Sequence, residues 1–262
     1  MIERTRMTGL YYLVACFFGL AAGSFINAWI WRARENLAIV ASRSMCPHCR
    51  ERIVWRDNIP VISFILLRGR CRHCRCRISW QYPAVEIVTA LLFMAAAYFF
   101  PAESAHASLR LVSHWIILLL LTFTFVYDLR YGEILDQATA IPALILLPVS
   151  LWAGWQSWSS LFIGILAGSG LFLALYLLSR GAWIGGGDVR LGFFMGVILG
   201  WPRILVALLL AYVLGAGVSL VLIVLRQKTM RSTTPFGTYL AIGAVTSLFF
   251  GQRLIDWYLG LM

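Results

Sequence analysis

The sequence predicts an all-α polytopic membrane protein of about eight transmembrane helices with one small polar loop domain. Three observations carry that expectation. The 262 residues are 61% hydrophobic and only 13% charged, whereas soluble domains hold about 45–50% apolar and about 25% charged residues. That apolar excess is more than one water-exposed fold can bury, so lipid is the default solvent. Apolar runs of spanning length recur along the chain, near residues 9–31, 83–100, 109–127, 137–155, 159–179, 189–201, 203–225 and 234–260. About 20 residues rising 1.5 Å each cross a hydrocarbon core of about 30 Å. The 11 Trp and 10 Tyr suit the headgroup level of a bilayer, where amphipathic rings collect.

Taken in order, the run at 9–31 spans comfortably. It is too long for the apolar region of a cleavable signal, and its small residues Ala21 to Ser24 lie mid-run, so it reads as a helix that stays. The run at 189–201 is short and is the least secure of the eight. Trp201-Pro202-Arg203 separates it from the next, because proline cannot continue a helix hydrogen-bond ladder. Three regions follow: a first transmembrane helix over 1–31, a polar loop over 32–82, and a helical bundle over 83–262.

Orientation rests on the basic residues. Seventeen of the 22 fall in the segments 32–82, 128–136, 180–190 and 226–233, which eight spans place on one side. Arg4, Arg6, Arg110, Arg203 and Arg253 fall on the other. Positive charge favours the cytoplasmic side, so the loop is expected in the cytoplasm and both termini outside, with Arg4 and Arg6 the only dissent at the N-terminus.

The loop holds five of the six cysteines. "CPHC" (46–49) and "CRHC" (71–74) are two C-x-x-C pairs with 21 residues between them. Two such knuckles offer the four thiolates of a tetrahedral zinc site, so Cys46, Cys49, Cys71 and Cys74 are the expected ligands. Disulfides are the alternative, disfavoured by a reducing cytoplasm. Cys76 is a candidate substitute ligand, His48 and His73 read as surface groups, and Cys16 reads as a packing residue in a span. Four Cys leave no open position for water, so this zinc is structural. Eleven Arg against Glu35, Glu51 and Asp57 make the loop strongly basic. Such a ribbon also suits nucleic acid, but anchorage to an anionic leaflet explains the charge without a second ligand. Lipid is therefore an expected partner and nucleic acid is not.

Acidic residues number 11, and an ionisable group beside a bilayer is costly and usually functional. "FTFVYDLRYGEILD" places Asp128, Glu133 and Asp136 at the cytoplasmic end of the third span, and "WIGGGDVRLG" places Asp188 behind three glycines at the start of the sixth. Two carboxylates at similar depth would titrate as a coupled pair, as in an aspartic protease. Gly185, Gly186 and Gly187 would then let an extended substrate or a neighbouring helix approach closely. The residues alone leave a second reading open, in which Asp188 caps its helix and Asp128 pairs with Arg130. A third class, a proton-coupled transporter using the same carboxylates, also stays open. Glu86, near Pro83 at the start of the second span, caps that helix or serves a second activity.

Six stretches in this order resemble one family, the type IV prepilin leader peptidases with N-methyltransferase function, of the GxGD class of membrane aspartyl proteases. They are "GLAAGSFINAWIWR" (19–32), the cysteine loop "CPHCRERIVWRDNIPVISFILLRGRCRHC" (46–74), "ISWQYPAVE" (78–86), "DLRYGEILDQAT" (128–139), "GGGDVRLG" (185–192) and "TPFGTYLAIGA" (234–244). The resemblance implies that Asp128 and Asp188 are catalytic. It implies cleavage of the basic leader of type IV prepilins or type II secretion pseudopilins at the cytoplasmic face of the bacterial inner membrane. It also implies methylation of the new N-terminus from S-adenosylmethionine, with the donor-binding residues unassigned; the loop, Glu86, Ser24 and Asn27 are the candidates. Two departures are visible. Ile134-Leu135-Asp136 stands where the family typically has Ile-Pro-Asp, and the triple glycine fits G-x-G-D with Gly186 at the variable position.

Overall fold

Helix α1 (Ile2–Arg34) absorbs the first apolar run and overshoots it, ending on Arg32 and Arg34, where cations complement the helix dipole. The computed structural model describes residues 2–39, 43–227, 229 and 234–261, with side chains from Gly9 onward. Lys228 and Arg231 of the basic residues counted above lie outside the described residues, as do the side chains of Arg4 and Arg6. Among the described residues there is no strand, only two isolated bridges. The chain divides into two compact units, one ending at Thr122 and one beginning at Phe123.

In the first unit α1 is followed by a polar segment containing a short helical turn (Trp55–Asp57) and α2 (Ile62–Leu66), then by α3 (Gln81–Phe99) and the opening of α4 (Ala105–Tyr131). Pro83 sits in the first turn of α3, where its missing N–H breaks no hydrogen bond. α1 and α3 run antiparallel in a tight seam. A methyl group on Gly19 would lie 2.5 Å from the Ala90 Cα, and one on Gly23 would lie 2.5 Å from the Glu86 Cα. Small residues four apart allow this backbone approach, which is how helices associate where lipid removes the hydrophobic incentive. One turn further on, Asn27 Nδ2 donates to the Tyr82 carbonyl at 3.0 Å. Trp115 of α4 stacks on Phe93, with the rings 7° from parallel.

The second unit begins inside α4 and continues with α5 (Ala140–Trp152), α6 (Trp158–Ile165), α7 (Leu171–Ser179), α8 (Gly186–Leu199), α9 (Arg203–Val224) and α10 (Phe236–Leu259). α6 and α7 are one rod interrupted by a wide π turn at Leu166–Gly170. Gly164 and Gly168 on this rod meet Gly196 and Gly192 on α8 with backbone against backbone. α8 stops at Gly200, in the left-handed region at φ 65°, and the Trp201–Pro202 bond is cis before α9 starts. α9 and α10 pack along their length, and Ser247 Oγ donates to the Arg203 carbonyl at 2.7 Å.

Each predicted apolar run is answered by a helix, yet not every helix is long and apolar enough to cross a membrane. Among the described residues five are, by length and composition: Gly9–Arg34, Gln81–Phe99, Ala105–Tyr131, Trp158–Ser179 and Arg203–Val224. The 13 residues of α5 and the 14 of α8 extend only about 20 Å. α10 is long enough, but its Thr, Ser and Gly residues and Gln252 and Arg253 dilute its apolar character. Trp80, Trp152, Trp158 and Trp183 stand largely exposed at or beside helix ends, the placement that interfacial tryptophans favour.

Candidate functional site

Two clusters of chemistry-bearing side chains form, one in each unit. The first is the cysteine cluster. The Sγ atoms of Cys46, Cys49, Cys71 and Cys74 all lie within 4.8 Å of one another, and those of Cys46 and Cys74 are 3.9 Å apart. Four sulfurs about 2.3 Å from a common zinc would be separated by about 3.8 Å, so the donor set and its spacing fit a tetrahedral metal. His48 and His73 are exposed and stand outside the cluster.

The two knuckles are built alike. In the first, Cys46 N–H donates to the Glu51 carbonyl, Arg50 N–H to the Cys46 carbonyl and Ile53 N–H to the Ser44 carbonyl. In the second, Cys71 N–H donates to the Cys76 carbonyl, Arg75 N–H to the Cys71 carbonyl and Ile78 N–H to the Gly69 carbonyl. Arg50 and Arg75 each adopt positive φ, 56° and 61°, and each knuckle is closed by an antiparallel bridge, Met45 to Arg52 and Arg70 to Arg77. The register between the two turns is constant, with Cys46 answering to Cys71 and Arg50 to Arg75. Cys76 is therefore the counterpart of Glu51, contributing its backbone to the turn while its thiol stays outside the four-sulfur cluster. Backbone N–H groups of Cys74 and His73 turned toward the Cys71 sulfur draw its pKa down to about 7, which favours the thiolate that a metal needs.

Side chains then tie the knuckles to the helices. Asp57 accepts two hydrogen bonds from Arg72, from Nε at 2.7 Å and Nη2 at 2.6 Å. That guanidinium holds the Asp57 carboxyl below the usual carboxylate range. Ser63 Oγ accepts from Ile59 N–H and donates to the Arg56 carbonyl. Val61 lies at φ 61°, ψ −48°, and Ile62 N–H reaches back to the Pro60 carbonyl at 2.6 Å. That conformation is sterically costly for a β-branched residue. The turn is held by Glu86 of α3, whose buried Oε2 accepts the Val61 N–H at 2.7 Å. Ser24 of α1 lies beside the Glu86 carboxyl. Glu86 thus does not cap its own helix; it fastens the loop to the α1–α3 seam.

The second cluster is the carboxylate pair. Asp128 sits in the last turn of α4, only 3% exposed, just before Gly132 ends that helix at φ 66°. Asp188 is in the first turn of α8, half-buried, and the capping position belongs to Gly185. The two carboxyls are close enough for the charge of Asp128 to act on Asp188, and Tyr212 of α9 is within electrostatic reach of Asp188. The segments carrying the pair are bound together outside the site. Asp136 and Arg190 form an ion pair at 2.6 Å, and Gly187 packs so closely on Ile134 that a Cβ would lie 2.9 Å from the Ile134 Cβ. Of the three glycines, only Gly187 is crowded in this way; a Cβ on Gly186 would meet nothing, and one on Gly185 would come no nearer than 3.9 Å to the Asp188 Oδ2.

The sequence reading missed the third element of this cluster. Thr238 of α10 donates twice to Asp128 Oδ2, from its backbone N–H at 2.6 Å and from Oγ1 at 3.0 Å. Gly237 makes room for this: a methyl there would lie 3.0 Å from the same oxygen and 2.7 Å from the Ile134 Cδ1. The signal was the stretch "TPFGTYLAIGA", visible as a pattern but without a partner until the fold brings Thr238 to Asp128.

These features define a class, a multi-pass helical membrane protein with a four-cysteine loop module and a buried carboxylate pair. The chain belongs to the type IV leader peptidase family: the profile of that family matches residues 115–220, and that of the bacterial peptidase A24 N-terminal domain matches residues 17–100. Among curated relatives, the prepilin leader peptidase/N-methyltransferase of Aeromonas hydrophila is 34% identical over 95% of this chain and 94% of its own. Proteins of the same name from Legionella pneumophila (30%, with 95% and 94% covered) and Bacillus subtilis strain 168 (31%, with 92% and 95% covered) are also similar. No solved structure matches the chain.

Proposed function

We propose that this protein is a membrane aspartyl endopeptidase that removes the leader of type IV prepilins or type II secretion pseudopilins at the cytoplasmic face of the inner membrane. We propose further that it methylates the new N-terminus. The observation that carries the peptidase reading is the meeting of two motifs far apart in the sequence, through the Asp136–Arg190 ion pair and the close approach of Gly187 to Ile134, which brings Asp188 within reach of the Asp128 charge. The relatives are named as peptidases, and peptide hydrolysis is what such a pair can do. With one proton shared, the ionised carboxylate takes a proton from water, and the hydroxide oxygen bonds to the scissile carbonyl carbon. The protonated partner gives its proton to the carbonyl oxygen. Collapse then breaks the C–N bond, and the leaving amine takes the proton that water supplied.

Cys46, Cys49, Cys71 and Cys74 would hold zinc, which supplies folding energy to the loop and no open position for chemistry. The methyl donor is S-adenosylmethionine, which supplies the transferred methyl group. Asn27 Oδ1, buried and without a hydrogen-bond donor among the described residues, and the Glu86 carboxylate of the facing helix are acceptors that fit its ammonium group. The basic loop suits the anionic inner leaflet. The test is incubation of the purified protein with a prepilin and the methyl donor, followed by mass analysis of the product N-terminus. A product cut after the leader and heavier by one methyl group supports both activities. An intact precursor at every enzyme concentration refutes the peptidase.

A further inference from the structure

We infer that Thr238 is a positioning residue that makes Asp128 the water-activating member of the pair and leaves the shared proton on Asp188. This rests on the proposed role of the two aspartates and decides what that role leaves open, namely which carboxyl does what.

One of the two hydrogen bonds at Asp128 has a fixed direction. A backbone N–H can only donate, and at 2.6 Å from Asp128 Oδ2 the Thr238 N–H requires that oxygen to accept. The Thr238 hydroxyl, 3.0 Å from the same atom, adds a second donor. Donors converging on one carboxylate oxygen favour its charged form. The Thr238 N–H is also one of the unpaired amides in the first turn of α10, whose summed dipole favours an anion placed before it. Asp128 therefore completes the start of a helix distant in sequence, with Oδ2 held by Thr238.

Asp188 is held differently. Its carboxyl is approached by the Gly185 N–H alone, and the Asp128 charge bears directly on it. No second donor converges on it among the hydrogen bonds of the described residues. The groups facing the pair agree with this division. α8 brings Arg190, which is engaged by Asp136. α9 brings Tyr212 toward Asp188. α10 brings Thr238 and, in its first two turns, no charged side chain. On α4 itself, the Arg130 guanidinium lies over the Tyr131 ring at 5.4 Å. Asp128 has two direct donors and the α10 dipole to hold a charge, and Asp188 has no comparable set among the described residues. Two carboxyls this close cannot both ionise readily, so the proton resides on the member with fewer donors. In the reaction Asp128 then accepts the proton from water and returns it to the leaving amine, while Asp188 lends its proton to the carbonyl oxygen and recovers it on collapse.

The test compares Thr238→Val, which keeps the shape and deletes the hydroxyl, with Thr238→Ser, which restores it. The full-length protein is used, with prepilin cleavage followed across pH and Asp128→Asn assayed in parallel. We expect Thr238→Val to lower kcat by about tenfold to a hundredfold, the effect of one charge-assisted hydrogen bond. KM should stay unchanged, and the acid limb of the kcat/KM profile should move to higher pH because the anion has lost a donor. Thr238→Ser should restore both. A general loss of fold would depress all parameters without moving the acid limb, and that result would overturn the positioning role. If Asp128→Asn is inactive while Thr238→Val matches wild type in kcat and pH profile, the positioning role is overturned and the aspartate pair stands. If Asp128→Asn cleaves normally, the pair itself is overturned.

Discussion

The cysteine module and the carboxylate site are assembled in opposite ways. Each knuckle closes within a short stretch of chain: Cys46 and Cys49, with the amides that support them, are neighbours in sequence, and the second knuckle repeats the first. The carboxylate site draws Asp128 from α4, Asp188 from α8, and Thr238 and Gly237 from α10, so no single stretch of chain contains it. A module of local turns depends on its own ligands. A site assembled across helices depends on the packing that brings them together. Substitutions should divide along that line.

The largest effect is expected at the carboxylates. Asp128→Asn or Asp188→Asn should reduce leader cleavage by roughly three orders of magnitude, the scale of general acid–base catalysis, while metal content stays at the wild-type level. Cleavage gels with metal analysis of the same preparations check this. Next is the module: Cys46→Ser with Cys49→Ser should abolish metal binding and expose the loop to protease, yet keep leader cleavage within a few-fold of wild type. Unchanged metal content in that double variant would remove the four-cysteine assignment. Gly237→Ala should lower cleavage by about tenfold or more, because the added methyl must displace either Ile134 or the Asp128 carboxyl, and a small misplacement of a catalytic group is costly. Gly186→Ala, where a Cβ meets nothing, should be nearly silent in the absence of substrate contacts. A strong defect there would instead support substrate approach at the glycines.

The smallest effects are expected in the loop. Glu86→Ala should loosen it, since the Val61 amide then lacks its buried acceptor and the turn its clamp. Asp57→Asn should do less. The Asp57 carboxyl is held below the ordinary range by Arg72, so its contribution to loop stability is complete above the unfolded carboxylate pKa of about 3.9. That contribution is lost only as pH falls through the depressed folded value. Asp57→Asn should therefore loosen the loop slightly at pH 7, seen as faster proteolysis between the knuckles. Arg72 is largely exposed, which keeps the change small.

Legibility in the sequence follows the same division. Ligand spacing in C-x-x-C is a local signal, so all four sulfurs of the cluster can be named from it. The doubling of the knuckle is written in the side chains too, since His48/His73, Arg50/Arg75, Arg52/Arg77 and Ile53/Ile78 recur beside the cysteines, but that both copies close the same turn is carried by backbone hydrogen bonds. In that register Cys76 stands where Glu51 does, and the backbone shows both giving a carbonyl to the turn. Apolar runs locate the helices, including the break at Trp201-Pro202. The short run over 189–201 already foreshadows α8, but the run over 137–155 does not reveal that α5 is too short to span alone, because it takes in most of the helical turn at Asp136–Ala138 and a tail beyond Trp152. Asp128 and Asp188 stand out because carboxylates are scarce in an apolar chain. Thr238 does not, since a threonine at the start of a span has ordinary uses and only the fold supplies its partner. Glu86 is visible as an oddity, but its partner, the amide of Val61, carries no side-chain signal.

The central claim is that cleavage belongs to the aspartate pair and depends on the cysteine module little or not at all. The most direct measurement is the mass of the prepilin N-terminus after incubation, in parallel, with wild type, Asp128→Asn and the Cys46→Ser/Cys49→Ser double variant. We expect cut product from wild type and from the metal-free double variant, and intact precursor from Asp128→Asn. Cut product from Asp128→Asn, or intact precursor from a double variant that still folds in the membrane, would contradict the claim.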